Sequence, residues 1–382
     1  MGNRKRRRRK TIKYYDYSLL AVLICLMSFC LVLLYSTSAY SALVKYGDSM
    51  HYFKRQLLFS VVGLIGMYIV SKIHYRWYYK RAKLLYMVSI FLMMLVQTPL
   101  GKSVNGARRW IRLPGGQQFQ PAEVAKIAVI LFIPVLICQM GKYIKPLAGV
   151  LRILMWGGVS SACIYFLTDN LSTAIIVAGI TCILIFVAHP KTAPFVAIAA
   201  TGLILIIVAV SMIGATMTAS ENFRMRRIIS WLNPEAYASE GAYQTLQGLY
   251  AIGSGGFFGK GLGNSVQKTI IPEVQNDMIL SVICEELGVC GAIIILVLFG
   301  MLLYRLLFIS QNAPDLYGSL IVIGIMAHIA LQVILNIAVV TNTIPNTGIT
   351  LPFISYGGTS VLFLLAEMGI ALGVSSRIQI EE

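Results

Sequence analysis

Long apolar runs separated by polar loops dominate the chain. Ten such runs lie at 18–36, 56–71, 84–99, 122–138, 151–167, 172–188, 194–214, 279–304, 316–338 and 353–376. A helix needs about 20 apolar residues to cross the hydrocarbon core of a bilayer, and about 17 are tolerated. The pattern predicts an all-α integral membrane protein with ten transmembrane helices, whose ends are least defined in the two short runs at 56–71 and 84–99.

The polar stretches set the predicted orientation. Residues 1–17 form a basic tail, 18–376 the membrane domain and 377–382 a second short tail. Ten spans place both termini on one side, and the excess of Lys and Arg in the loops on that side predicts that it is the cytoplasm. The predicted outward loops are 100–121, 168–171, 215–278 and 339–352. The longest of them joins the seventh and eighth helices.

Composition narrows the class of partner. The chain is 57% hydrophobic and only 12% charged, yet its net charge is +17. The cations lie in the loops between apolar runs, which favours anionic lipid headgroups or a phosphorylated substrate over nucleic acid. His74 and His328 stand alone without metal-ligand spacing. We therefore predict no metal site and no nucleic-acid partner.

Acidic residues mark the start of the eighth run. Asp277, Glu285 and Glu286 lie at or inside its outer end, and carboxylates at membrane depth are costly unless they are paired or hydrated. Pro272 and Glu273 are expected to open a helix that brings Glu273 and Asp277 onto one face, where each raises the pKa of the other. Glu285 lies two turns further along and is expected to pair with a cation or the backbone.

Basic residues of the first outward loop form a candidate anion site. Arg108 and Arg109 lie beside Trp110, and guanidinium groups match phosphate oxygens in a bidentate manner. The alternative is that these arginines only anchor the loop at the membrane interface. Further along, Pro121 is expected in a first helical turn, with Glu123 and Lys126 paired on one face.

Three more features predict local structure. Asp169 is expected to cap the sixth helix. The glycine-rich stretch 253–263 could bring its backbone N–H groups to an anion, or it could be a flexible loop. The stretch 345–360, rich in Pro, Gly and hydroxyl groups, predicts broken helix facing protein or a wet cavity. Glu367 in the last run is expected to have a structural partner.

At these residues the chain resembles the SEDS family (shape, elongation, division and sporulation), the FtsW/RodA type of bacterial peptidoglycan polymerase. The matching motifs are Asn105-Gly-Ala-Arg-Arg-Trp-Ile111, Gln120-Pro-Ala-Glu123 with Lys126, Gly253-Ser-Gly-Gly256, Gly259-Lys-Gly-Leu-Gly-Asn-Ser-Val-Gln-Lys268, Glu285-Glu-Leu-Gly288 and Leu351-Pro-Phe-Ile-Ser-Tyr-Gly-Gly358. They favour the division (FtsW) or sporulation branch. The chain departs from the family pattern at Asn276, usually Thr, at Met278, usually Phe, and at Asn346, usually Val. Asn170 is inserted after Asp169.

The resemblance implies a peptidoglycan glycosyltransferase. Such an enzyme polymerises lipid II at the outer face of the bacterial cytoplasmic membrane by an inverting transfer that releases undecaprenyl pyrophosphate. Asp277 would be its catalytic residue, the general base. The implied substrate-binding residues are Arg108, Arg109, Glu123, Lys126, Lys260, Lys268, Glu273 and Ser355. No cofactor is required by the sequence, although a divalent cation, Mg or Mn, could accompany the pyrophosphate. The alternatives are a lipid II flippase and a non-catalytic division scaffold.

The resemblance also implies protein partners. These are a class B penicillin-binding protein and other proteins of the divisome or elongasome. Small residues permit close helix approach in lipid. Spans eight and nine carry Gly288, Gly291, Gly300, Gly318 and Gly324. We therefore expect a partner helix to dock against these two spans.

Overall fold

The computed structural model describes residues 11–104, 107–112, 118–202, 204, 223–238 and 242–381. Its helices are α1 Tyr17–Tyr46, α2 His51–Lys72, α3 Tyr75–Leu95, α4 Pro121–Met140, α5 Leu147–Thr168, α6 Leu171–Ala188, α7 Ala193–Gly202, α8 Phe223–Leu232, α9 Tyr243–Gly255, α10 Ile279–Gln311, α11 Leu316–Val340 and α12 Thr359–Ser375. Short 3-10 helices lie at Gly141–Ile144 and Gln267–Thr269. The strands are β1 Thr11–Lys13, β2 Gly101–Val104, β3 Ala107–Arg112, β4 Gln118–Phe119 and β5 Gln379–Glu381.

Most of the predicted apolar runs are confirmed as helices. Among the described residues, α1, α2, α4, α5, α6, α10 and α11 are long and apolar enough to cross a membrane, so the protein is a multi-pass membrane protein. Helix α3 begins nine residues before its predicted run, where cationic side chains lower the local hydropathy. Helices α7 and α12 are shorter, and most of the seventh run after residue 202 lies outside the described residues. The number of ten spans stays a prediction.

Both termini meet at one end of the helix bundle. Strand β1 pairs antiparallel with β5, with Thr11 opposite Glu381 and Lys13 opposite Gln379. Beside this pair, Asp16 caps α1 by accepting a hydrogen bond from the backbone N–H of Leu19 at 2.8 Å. The termini therefore lie on the same side, as an even number of spans requires.

The first predicted outward loop folds into a small sheet. Its strands β2, β3 and β4 are antiparallel and pair in that order. The predicted all-α class is confirmed for the membrane helices, and this short sheet is a local addition that the prediction did not include. The pair Asn105-Gly106, typical of two-residue hairpin turns, separates β2 from β3 and could have predicted the hairpin.

Two helices form the centre of the bundle. Helix α4 contacts α3, α5, α6 and α11. Of the residues in its most apolar 18-residue stretch, 78% are buried. A helix that is apolar on every face is buried in this way. Helix α11 is similarly enclosed, and 67% of the residues in its most apolar 18-residue stretch are buried.

The enclosure of α11 contradicts part of the predicted partner groove. A Cβ built on Gly324 would lie 3.2 Å from the side chain of Ile130 in α4, and one built on Gly318 would lie 3.3 Å from the side chains of Asp315 and Val374. These glycines therefore face the interior of the bundle and cannot meet a partner helix in lipid. On α10, Gly300 has no atom within 4 Å of its Cβ position and is open to such a contact.

Helix α10 is broken at Gly288. The backbone there has φ 67° and ψ −164°, which is a region almost exclusive to glycine. The break leaves backbone groups on both sides free to bond to the glycine-rich stretch 253–263. The N–H groups of Lys260 and Gly261 donate to the carbonyls of Glu285 and Glu286, each at 2.9 Å, and Val289 N–H donates to the carbonyl of Gly256 at 3.1 Å. The glycine-rich backbone thus approaches another backbone, and these N–H groups are not available to an anion.

Candidate active site

Asp277 lies two residues before α10, in a bend. The predicted helix opening at Pro272 is wrong, because α10 begins only at Ile279. Glu273 has a positive φ of 50°, which a continuing helix does not allow. The Glu273 carboxylate also accepts hydrogen bonds from the side-chain amides of Gln275 at 3.2 Å and Asn276 at 3.1 Å. These local bonds stabilise the turn in place of a helix.

Two neighbouring elements hold Asp277 in place. The side-chain amide of Gln244, on α9, donates to Asp277 Oδ1 at 3.2 Å. The side-chain amide of Asn336, on α11, donates to the Asp277 carbonyl at 2.9 Å and to the Ile349 carbonyl at 2.7 Å. The residue as a whole is half-buried. Its carboxylate and its backbone are thus both bonded to neighbouring elements of the bundle.

The surroundings of Asp277 favour its neutral form. Burial raises the pKa of the Asp277 carboxyl above its ordinary value, and the negative charge of Glu273 raises that pKa further. The hydrogen bond from Gln244 and the positive charge of Arg227 act in the opposite direction. Glu273 acts on the pKa of Asp277 in the predicted direction, although the two residues do not share a helix face, and burial is the larger cause. A carboxylate whose pKa is raised accepts protons more readily near neutral pH.

Sequence reasoning missed Arg227, on helix α8. The guanidinium of Arg227 donates to the Asn346 carbonyl at 3.1 Å, and its charge acts on Asp277. On the same helix, the Trp231 indole N–H donates to the Asn342 carbonyl at 2.8 Å. The signal was present in Phe223-Arg-Met-Arg-Arg-Ile-Ile-Ser-Trp-Leu232, a basic amphipathic segment inside an outward loop.

Glu123 and Lys126 form the predicted pair on α4. Helix α4 begins at Pro121 as expected, and the Lys126 ammonium lies 2.9 Å from Glu123 Oε1. The Lys126 side chain is 3% exposed and that of Glu123 10%. An ion pair this well enclosed resists screening by salt, and loss of either partner leaves the other charge buried.

Arg109 reaches across to the turn between α5 and α6. Its guanidinium donates to the carbonyl of Asp169 at 2.9 Å, while Arg108 is exposed at the surface of β3. The prediction that Asp169 caps α6 is wrong. Asp169 ends α5 with φ 47°, and Asn170, the inserted residue, accepts from the Thr173 N–H at 3.1 Å and caps α6.

Both predicted lysines of the large loop bind carboxylates of α10. The Lys260 ammonium lies 2.7 Å from Glu285 Oε1, and that of Lys268 lies 3.1 Å from Glu286 Oε1. Glu285, fully buried, also accepts from the Ser265 hydroxyl at 2.5 Å. The predicted structural pairing of Glu285 is confirmed. Contacts of Lys260 and Lys268 with substrate stay predictions, and both ammonium groups already have a carboxylate partner.

The remaining predicted residues have local partners. Ser355 is buried, and its hydroxyl accepts from the Leu351 N–H at 2.8 Å. Glu273 forms an exposed ion pair with Lys45 at 3.3 Å. Glu367 has a structural partner, as expected. That partner is His328, whose Nδ1 lies 2.8 Å from Glu367 Oε2, so the interpretation of His328 as a solitary residue is wrong. In the described part of the chain no three His, Cys, Asp or Glu side chains form a group that could hold a metal ion.

The structure thus defines a multi-pass membrane protein with a carboxylate held at one end of the helix bundle. The FtsW/RodA/SpoVE family, described as "Cell cycle protein", matches residues 16–379. The chain belongs to this family, and the resemblance noted in its motifs is confirmed.

Two relatives support this assignment, and two solved structures share the fold. Stage V sporulation protein E of Bacillus subtilis (strain 168) is 40% identical over 94% of this chain and 96% of that protein. A probable peptidoglycan glycosyltransferase FtsW of Trichlorobacter lovleyi is 36% identical over 96% of this chain and 94% of that protein. A chain from a peptidoglycan synthase complex that coordinates polymerization and crosslinking has a TM-score of 0.75 at 24% identity, over 94% of this chain and 97% of that one. Rod shape determining protein RodA of Thermus thermophilus has a TM-score of 0.64 at 25% identity, over 96% of this chain and 98% of that one.

Proposed function

We propose that the chain acts on lipid II and that Asp277 is its general base. The chain is a peptidoglycan glycosyltransferase of the FtsW/RodA/SpoVE family, which serves cell division and wall synthesis. The observation that carries the assignment of the base is the environment of the Asp277 carboxylate. It accepts a hydrogen bond from Gln244, and burial raises its pKa.

The reaction requires one proton acceptor and one leaving group. The 4-hydroxyl oxygen of the acceptor sugar attacks the anomeric carbon of the donor and forms the new glycosidic bond. Its proton passes to the Asp277 carboxylate. The bond from the anomeric carbon to the pyrophosphate oxygen breaks, and undecaprenyl pyrophosphate leaves with the electron pair. An α-linked donor gives a β-linked product in this single displacement, which inverts the anomeric carbon.

Arg227, whose charge acts on Asp277, is suited to the leaving pyrophosphate. Arg108 and Arg109 on β3 and Lys126 in the second turn of α4 are included in the proposal as further cations for the substrate. Positive charge near the developing phosphate charge stabilises the transition state more than the ground state. A divalent cation at this site would take its ligands chiefly from the pyrophosphate oxygens, since the described residues offer no group of three ligands.

The orientation and the partner belong to the same proposal. We place both termini in the cytoplasm and Asp277 at the outer face of the bacterial cytoplasmic membrane, in a bundle of ten spans. The pairing of β1 with β5 supports an even number of crossings. A chain of similar fold works in a synthase complex that couples polymerization to crosslinking. We propose a class B penicillin-binding protein as the corresponding partner here.

Purified protein in detergent tests the function directly. With lipid II as the only substrate, the wild type should form glycan polymer that is resolved on a gel, whereas Asp277→Asn should form none and should unfold at a similar temperature. A flippase or a scaffold makes no polymer in detergent. Polymer formation by Asp277→Asn at the wild-type rate would remove Asp277 from the role of base.

A further inference from the structure

Asn346 lies between the two groups that flank the Asp277 carboxylate. Its side-chain amide donates to Gln244 Oε1 at 3.2 Å, and its Oδ1 accepts from the Gly348 N–H at 2.9 Å. Gln244 in turn donates to Asp277 Oδ1. The Cβ position of Gly348 lies 3.9 Å from Asp277 Oδ2. One side chain therefore touches the neighbours of both carboxylate oxygens.

The orientations of the Asn346 and Gln244 side-chain amides follow from the groups to which they bond, the Gly348 N–H on one side and the Asp277 carboxylate on the other. A backbone N–H only donates, so the amide of Asn346 must turn its oxygen toward Gly348 and its NH2 group toward Gln244. Gln244 must then present Oε1 to Asn346. The NH2 group of Gln244 therefore faces the Asp277 carboxylate and the Pro272 carbonyl, to each of which it donates at 3.2 Å. All three hydrogen bonds of the Gln244 amide agree with this orientation.

We propose that Asn346 is a positioning residue that orients the Gln244 amide so that its NH2 group faces Asp277. The consequence for catalysis rests on the proposed role of Asp277 as base. With its oxygen held by Asn346, Gln244 cannot rotate that oxygen toward the carboxylate, where two acceptors would repel each other. Without Asn346, the Gln244 side chain gains rotational freedom and its hydrogen bond to Asp277 weakens.

Two charged groups also act on Asp277 and must be separated from this effect. Arg227, on α8, favours the ionised carboxylate, and Glu273, in the same turn, disfavours it. Arg227 bonds to the Asn346 carbonyl, which a side-chain substitution leaves in place. Asn346→Val, which introduces the residue usual in the family pattern, therefore removes the amide while keeping both charges.

The test measures protonation of Asp277 without relying on activity. A hydrophobic carbodiimide modifies protonated carboxyl groups, and mass spectrometry of the peptide gives the pH midpoint of Asp277 labelling, with Glu273 on the same segment as reference. Gln244→Met should raise the midpoint by about one pH unit, since a hydrogen bond to a charged group contributes on that order. Asn346→Val should raise it by roughly half as much. The double variant should match Gln244→Met alone, because Asn346 then has no amide to orient.

A matched control separates this role from a general loosening of the loop. The Ser172 hydroxyl donates to the Thr347 carbonyl at 2.7 Å, so Ser172→Ala removes an anchor of the same segment without touching Gln244. Its midpoint should equal that of the wild type. The proposal is overturned if Asn346→Val leaves the midpoint unchanged, if its shift persists beside Gln244→Met, or if Ser172→Ala shifts the midpoint equally.

Polymerisation assays on the same variants then test the link to function. The acid limb of the rate profile for lipid II should move in parallel with the labelling midpoint. Labelling shifts without any polymer from the wild type would refute the proposed function while leaving the positioning of Asp277 by Asn346 and Gln244 supported.

Discussion

Substitution of Gly288 by alanine should destabilise the protein strongly. The residue has φ 67° and ψ −164°, and a backbone in this region costs a non-glycine residue about 1–3 kcal/mol. A Cβ there would also lie 2.4 Å from the Gly259 nitrogen and 2.4 Å from the Phe257 oxygen. Both are backbone atoms, so the glycine-rich loop itself must move.

The backbone strain and the steric clash together cost a large fraction of a typical free energy of unfolding. Displacement of packed atoms costs about 1–3 kcal/mol, so the expected loss is about 2–6 kcal/mol in the free energy of unfolding. Movement of the loop would also disturb the backbone bonds from Lys260 and Gly261 to α10. Lys260 would then lose its fixed position beside Glu285.

Gly300 supplies the matched control on the same helix. It lies in the regular part of α10, and no atom lies within 4 Å of its Cβ position. Alanine there should be neutral or should stabilise by roughly 0.5–1 kcal/mol. Thermal unfolding in detergent, followed by intrinsic fluorescence, should give Gly288→Ala a melting temperature well below both the wild type and Gly300→Ala. Equal melting temperatures for the two variants would refute the reasoning.

Three further outcomes are expected. Lys126→Met leaves the buried carboxylate of Glu123 without its partner and should lower the free energy of unfolding by about 3–5 kcal/mol. Thermal unfolding measures this loss. The double variant with Glu123→Leu should recover much of it. Asn170→Ala removes the cap of α6 and should cost about 1 kcal/mol, so an unchanged melting temperature would contradict the assigned cap. Because burial raises the pKa of Asp277 and a base acts in its ionised form, glycan synthesis should fall on acidification already at a pH above the ordinary aspartate value of about 3.9. A constant rate down to that pH would contradict a single carboxylate base.

The length of the apolar runs was sufficient to predict the long apolar helices, but not α8 and α9 in the predicted loop 215–278 or the breaks within the outer segments. Long apolar runs leave few alternatives in lipid, because every backbone group must bond internally. The broken segment before α12 was also predictable, since prolines and glycines crowd it, and it is confirmed between residues 345 and 358. The positive φ of Glu273 was not predictable, because it depends on amides contributed by Gln275 and Asn276.

Pairings between distant elements lay beyond sequence reasoning. Neighbours on one helix, such as Glu123 and Lys126, follow from the helical repeat. The contacts of His328 with Glu367 and of Arg227 with Asn346 join residues on separate elements, so no spacing along the chain reveals them. For the same reason the inward-facing Gly324 could not be distinguished from a lipid-facing glycine.

The junction of the two termini has a consequence for the order in which the chain assembles during its synthesis. Asp16 at the start of α1 forms an ion pair with Arg305 on α10 at 2.7 Å, and its N–H donates to the Ser375 hydroxyl at 3.0 Å. The residue and its last partner are 359 positions apart. At about 5–20 residues per second, a ribosome needs roughly 20–70 s to supply that partner. During this interval Asp16 must stay at the membrane surface in water, so the first helix is inserted long before the contacts that fix its end exist.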